Sequence, residues 1–86
     1  MRRIANLKVG VVTHYYDKIG VAVVEVLSPL AVGDEIKISG HEAEFSQKIE
    51  SMQIEHEKIE KAAKGKVVGM KVEQPVKEHD LVFKVG

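Results

Sequence analysis

The longest apolar run in this chain, Ile19 to Val24, is only strand-length, and Gly and Pro punctuate the chain between its short segments. That punctuation constrains the fold more than anything else in the sequence. No stretch approaches the roughly 20 apolar residues needed to cross a bilayer as a helix. The basic start, Met1-Arg2-Arg3-Ile4, is not followed by the apolar core of an export signal. The expectation is a cytoplasmic, non-membrane protein. With 86 residues the chain is expected to form one domain over 1–86. A chain of this size buries only about 60% of its unfolded surface. It has no Cys, so disulfides cannot supplement a small core. Hydrophobic residues at 44% and charged residues at 30% fit a folded domain and argue against disorder.

Between the breaks the segments read as short strands. Leu7 to Tyr16 is rich in Val, Thr and Tyr, which suit a pleated, half-buried surface. Asp17-Lys18 turns the chain, and Ile19 to Leu27 returns to complete a hairpin. In the returning strand Ala22, Val24 and Val26 share one face, while Val21, Val23, Glu25 and Leu27 share the other. Glu25 marks the second face as outward. This leaves Val21 and Val23 as outward apolar residues to be covered by a terminus, a loop or another subunit.

Ser28-Pro29 breaks that strand, and Val32-Gly33-Asp34 is a tight turn in which Gly supplies positive φ. Glu35 to Ile38 alternates as a third strand, Ser39-Gly40-His41 turns again, and Ala43 to Phe45 fits a short edge strand. Gln47 to Lys64 fits two patterns. Ile49, Met52, His56, Ile59 and Ala63 recur at helical spacing, whereas Met52, Ile54 and His56 alternate with Gln53 and Glu55 as in a strand. Lys66 to Glu73 and Asp80 to Val85 read as the closing strands, separated by Pro75. Many short strands with frequent turns point to a small barrel or sandwich.

Four stretches resemble a known family. Val32-Gly33-Asp34-Glu35-Ile36 is similar to the V-G-D-x-I/V turn of domain two in elongation factor Tu and its relatives. Ser51-Met52-Gln53-Ile54-Glu55-His56 with Ile59-Glu60-Lys61-Ala62, then Gly65 to Val72, then Val76 to Val82, resemble that domain's later motifs in the same order, over about three-quarters of the chain. The whole chain resembles small translation elongation factor-like proteins. Similar barrels also end collagenase-like peptidases and RNA-modifying relatives as accessory domains.

The resemblance implies an all-β, closed, six-stranded Greek-key barrel of the translation-factor domain-two type. It favours strand for the ambiguous segment up to about Glu57, followed by a turn or helical turn over Ile59 to Ala63. It implies a non-catalytic module that contacts RNA or a translation-related protein. The alternative is an accessory domain of the collagenase-like peptidase kind, acting in trans or as a homo-oligomer through Val21 and Val23. GTP hydrolysis is not implied, since that chemistry lives in another domain and this chain has no G-x-x-x-x-G-K-[ST] loop for a nucleotide. At the family's last Gly-Asp pair this chain has His79-Asp80, so His79 is expected to adopt positive φ.

The sequence offers little to catalysis. His14, His41, His56 and His79 show no metal-ligand spacing, and neither a metal nor another cofactor is expected. Ser28, Ser39, Ser46 and Ser51 lie in no nucleophile-elbow context. The candidate partner-binding residues are His14, Tyr15, Tyr16 and Lys18 at the hairpin tip, where aromatic rings could stack on bases. Strand alternation, however, puts the two tyrosines on opposite faces, one in the core and one at the tip. Lys58, Lys61, Lys64 and Lys66 form the main basic concentration and are the candidate phosphate contacts, with Glu57 and Glu60 among them. Lys and Arg total 13 and Asp and Glu total 13, so nucleic-acid binding would have to use such a local patch.

Overall fold

In the computed structural model, which describes residues 7–40 and 44–85, the chain is all-β with ten strands. These are β1 (Leu7–Tyr16), β2 (Val21–Val26), β3 (Leu30–Ala31), β4 (Glu35–Ser39), β5 (Glu44–Lys48), β6 (Met52–Ile54), β7 (Glu57–Ile59), β8 (Lys61–Ala62), β9 (Val67–Lys71) and β10 (Leu81–Lys84). Eight of them form one antiparallel sheet in the order β5-β4-β10-β1-β2-β9-β6-β7, and β3 pairs with β8 in a second, two-stranded sheet. Met1 to Ile4 and His41 lie outside the described residues, as do Glu42 and Ala43.

The expected closed six-stranded barrel is corrected by this topology. The large sheet curls into a half-barrel whose terminal strands, β5 and β7, do not pair with each other. A side chain instead ties β5 across the curl to the end of β9. Gln47, on β5, donates from Nε2 to the Lys71 carbonyl at 2.9 Å and accepts at Oε1 from the Glu73 amide at 2.8 Å. Gln47 is the one buried polar residue among the described residues, and these bonds satisfy it.

Two register shifts in β1 produce the curl, one between Lys8 and Gly10 against β10 and one between Val12 and His14 against β2. A bulge adds a residue to one strand and increases local twist. It also breaks strict alternation, so Val9 and Val12, three apart, both reach the core. Around them pack Val24, Val26, Ile36, Ile38, Met52, Met70 and Val82, all almost fully buried. As the alternation predicts, Ala22, Val24 and Val26 point inward and Glu25 outward.

The segment with two sequence patterns is strand on both sides of a two-residue turn. Met52 pairs with Ile59 and Ile54 with Glu57, so β6 and β7 form a hairpin around Glu55-His56. Both turn residues have positive φ, 51° and 71°, as the hairpin turn matching strand twist requires. The expected turn or helical turn over Ile59 to Ala63 is corrected in part: Lys61 and Ala62 pair with Ala31 and Leu30 as β8.

One turn geometry occurs three times. In residues 31–34, 63–66 and 77–80 the fourth amide donates to the first carbonyl, Asp34 to Ala31, Lys66 to Ala63 and Asp80 to Lys77. The third residue has positive φ each time: Gly33 at 98°, Gly65 at 90° and His79 at 76°. In two of the three the Asp carboxylate also accepts the first residue's amide, Ala31 N to Asp34 Oδ2 at 3.0 Å and Lys77 N to Asp80 Oδ2 at 2.9 Å. Gly or His takes the positive φ and Asp, where present, closes the loop, so the three turns read Gly33-Asp34, Gly65-Lys66 and His79-Asp80.

Candidate functional site

The hairpin-tip residues divide between two faces. Tyr15 packs against the core, and His14 and Tyr16 stay on the outside with their rings edge to face at 4.4 Å. His14 Nδ1 lies 3.7 Å from Glu78 Oε2, with both side chains at least half exposed. Lys18 sits in the turn after β1, also exposed. The three rings therefore do not make one stacking platform.

The basic residues are likewise spread over several elements. Lys58 is on β7 and Lys61 on β8; Lys64 lies in the turn that follows and Lys66 just before β9, and all four are exposed. Lys58 borders a hollow with Val32, Met52 and Ile59, while Lys61 borders a different one with Leu30, Ala62 and Lys84. Among the described residues no group of three or more His, Asp or Glu side chains converges as a metal ion would need. No helix of the described residues is long and apolar enough to cross a membrane.

A broad apolar hollow of about 480 Å³ lies on the outer face of the sheet, over β2 and β9. It is lined by Tyr16, Ile19, Val21, Val23, Val67 and Gly69, with Gln53, Glu55 and His56 along one side. The described chain leaves five large hydrophobic residues exposed, and three of them, Tyr16, Ile19 and Val67, belong to this one hollow. Alternation along β2 had placed Val21 and Val23 here. Val67 was missed because the Val67-Val68 pair has no period of its own, and only the pairing of Glu25 with Val67 sets which of the two faces out.

The centre of the hollow is open because Gly69 pairs with Val23 there and has no side chain. A Cβ on Gly69 would meet Val21 at 3.4 Å and Gln53 at 3.6 Å, which is ordinary contact. The floor therefore has room that the fold does not need. An exposed, contiguous apolar surface of this kind is suited to holding another polypeptide rather than to acid–base chemistry.

Comparison with known proteins gives a consistent picture. The profile of the peptidase family U32 C-terminal domain matches residues 7–82. An uncharacterized protease of Methanocaldococcus jannaschii is 37% identical over 79 residues, covering 91% of this chain and 19% of that protein. A collagenase of Porphyromonas gingivalis is 35% identical over 81 residues, covering 92% of this chain and 20% of that protein. The chain thus spans about a fifth of the length of these relatives. The crystallised C-terminal domain of a Geobacillus thermoleovorans U32 peptidase, as its selenomethionine variant, superposes with a TM-score of 0.86 at 28% identity, covering 90% of this chain and 98% of that one.

These matches overturn the resemblance to elongation factor Tu domain two, because the peptidase profile runs through all four motif stretches on which it rested. The physical reason lies in the repeated turn. Two of the motifs carry Gly-Asp or its equivalent at residues 33–34 and 79–80, and a third begins at Gly65. Such residues report a backbone geometry that any curled β-domain can use. The expectation of RNA contact falls with the resemblance that motivated it.

Proposed function

This chain belongs to the peptidase family U32 C-terminal domain family, and from that membership we propose that it is a non-catalytic accessory domain serving a U32 catalytic polypeptide. One observation carries the reading. The likeness falls on a bounded module, covering 98% of a solved C-terminal domain but about a fifth of a protease and a collagenase. The hydrolytic groups of those relatives are then to be sought in the remaining four-fifths. The domain's contribution is to hold a polypeptide, by positioning either the catalytic part or its protein substrate.

The test is a hydrolysis assay on gelatin and a fluorogenic collagen-derived peptide. The purified chain is assayed alone, then with a U32 catalytic polypeptide from the same cell that lacks its own C-terminal domain. The expected result is no hydrolysis by the chain alone and a faster rate when the two are combined. Hydrolysis by the chain alone, or a catalytic polypeptide indifferent to it, would sink the proposal.

A further inference from the structure

We propose that the outer face of β2 and β9 is a homodimer interface, and that its occupant is a second copy of this chain. The inference stands on observations separate from the accessory-domain reading.

The argument begins with the register. Val21 on β2 lies opposite Lys71 on β9, Val23 opposite Gly69, and Glu25 opposite Val67. These six residues form the outward grid of the two strands. Its centre is apolar, with Val23 beside the bare Gly69. One diagonal runs from Val21 to Val67, both apolar. The other runs from Glu25 to Lys71, both charged and both exposed. The acidic end is reinforced by Glu55, which borders the same hollow, while Tyr16 and Ile19 extend the apolar surface at the other end.

A patch with an acid at one end and a base at the other is complementary to its own copy. A two-fold axis between two facing patches, perpendicular to the Glu25–Lys71 diagonal, brings Glu25 of each copy to Lys71 of the other. One symmetry operation makes both ion pairs. Turned any other way, the copies set like charges together or leave them against apolar surface, so the charges specify the orientation while the valines supply the burial. Nothing at longer range opposes the approach, because the chain has 13 basic and 13 acidic residues and formal net charge of zero. The patch is small beside the ~800 Å² per partner of a standard interface, so the dimer is weak and concentration-dependent.

The experiment is light scattering and sedimentation over about 1 μM to 1 mM, the span in which small interfaces form. The expected result is a mass rising from 9.5 kDa toward twice that value. Val23→Glu should hold the protein monomeric throughout. Glu25→Lys and Lys71→Glu should each weaken association about tenfold, and the double variant should restore it, because the swapped charges still meet their opposites. Should Val23→Glu fail to fold, the charge-reversal set decides alone, since Glu25 and Lys71 are exposed. A mass fixed at 9.5 kDa at the highest concentration overturns the proposal. So does a double variant no tighter than the single ones, or a monomer that instead binds a U32 catalytic polypeptide through a Val23-dependent contact.

Discussion

Gln47 and Lys71 lie 24 positions apart in sequence, and a 2.9 Å hydrogen bond from the Gln47 carboxamide to the Lys71 carbonyl joins an edge strand to the far side of the curled sheet. With the return bond from the Glu73 amide, the side chain does what a neighbouring strand's peptide group would do. Gln47→Ala leaves the Lys71 carbonyl and the Glu73 amide without this partner. The expected loss is about 2 kcal/mol in urea unfolding. Gln47→Glu keeps the acceptor for Glu73 but turns a carboxylate toward a carbonyl, so only its protonated form can donate. Its pKa in the folded state is therefore raised above the unfolded value. The variant is expected to hold its stability below the unfolded carboxyl pKa and to lose it as pH rises through the folded one.

Gly10 is needed for space. A Cβ there would lie 2.6 Å from Val24 Cγ1 and 3.1 Å from the Glu25 carbonyl oxygen, next to the first bulge of β1. Gly10→Ala is expected to cost about 1–3 kcal/mol by overpacking. Gly69→Ala, whose Cβ meets nothing closer than 3.4 Å, is the control and should cost less. Thermal unfolding of the pair gives the comparison.

The two histidines at positive φ strain the backbone that a glycine would relax. His56 sits at 71° and His79 at 76°. His56→Gly and His79→Gly are each expected to stabilise the protein by about 0.5–1 kcal/mol, read as a raised melting temperature. The opposite sign would mean that the histidine side chains hold their turns by contacts of their own.

The three related turns predict a repair. Asp34 and Asp80 close theirs with a carboxylate, whereas the turn at 63–66 ends in Lys66. Lys66→Asp supplies the missing acceptor for the Ala63 amide and is expected to add about 0.5–1 kcal/mol. Asp34→Ala should lose about 1 kcal/mol. Asp34→Asn keeps an oxygen for the Ala31 amide but forgoes the 3.4 Å ion pair with Lys84, and should stay within about 0.5 kcal/mol of the wild type. Chemical denaturation of the three variants checks the order.

The sequence was most legible where local chemistry dictates backbone shape. Leu7 to Tyr16 and the inward set of Ala22, Val24 and Val26 follow from composition and alternation, and positive φ at Gly33 follows from turn chemistry, whereas positive φ at His79 was implied by the resemblance to a Gly-Asp turn. The hairpin around Glu55-His56 was hidden, because neither residue is one that normally marks a left-handed turn. Openness of the barrel was hidden too, since it depends on which strands end the sheet, and no local pattern shows that β5 and β7 stay unpaired. Family identity was misread for a related reason: Gly-Asp turns are common to curled sheets, and only similarity along the whole of residues 7–82 separates one family from another. Of the candidate site, Val21 and Val23 were legible from the outward Glu25. The grouping of Tyr16, Ile19 and Val67 with them required the strand register.

The bulges of β1 carry a consequence for how this domain tolerates change. β1 has ten residues, β2 has six and β10 has four. Curvature is thus encoded as surplus length, in the two places where β1 is a residue longer than the strand beside it. Substitutions within β1 can alter packing while the sheet stays bowed. A one-residue deletion at either bulge would leave the composition almost untouched, yet bring the flanking pairs into regular register and flatten the sheet there, taking away the extra twist that the bulge supplies. Insertions and deletions in β1 should therefore be far rarer among functional variants than amino-acid exchanges.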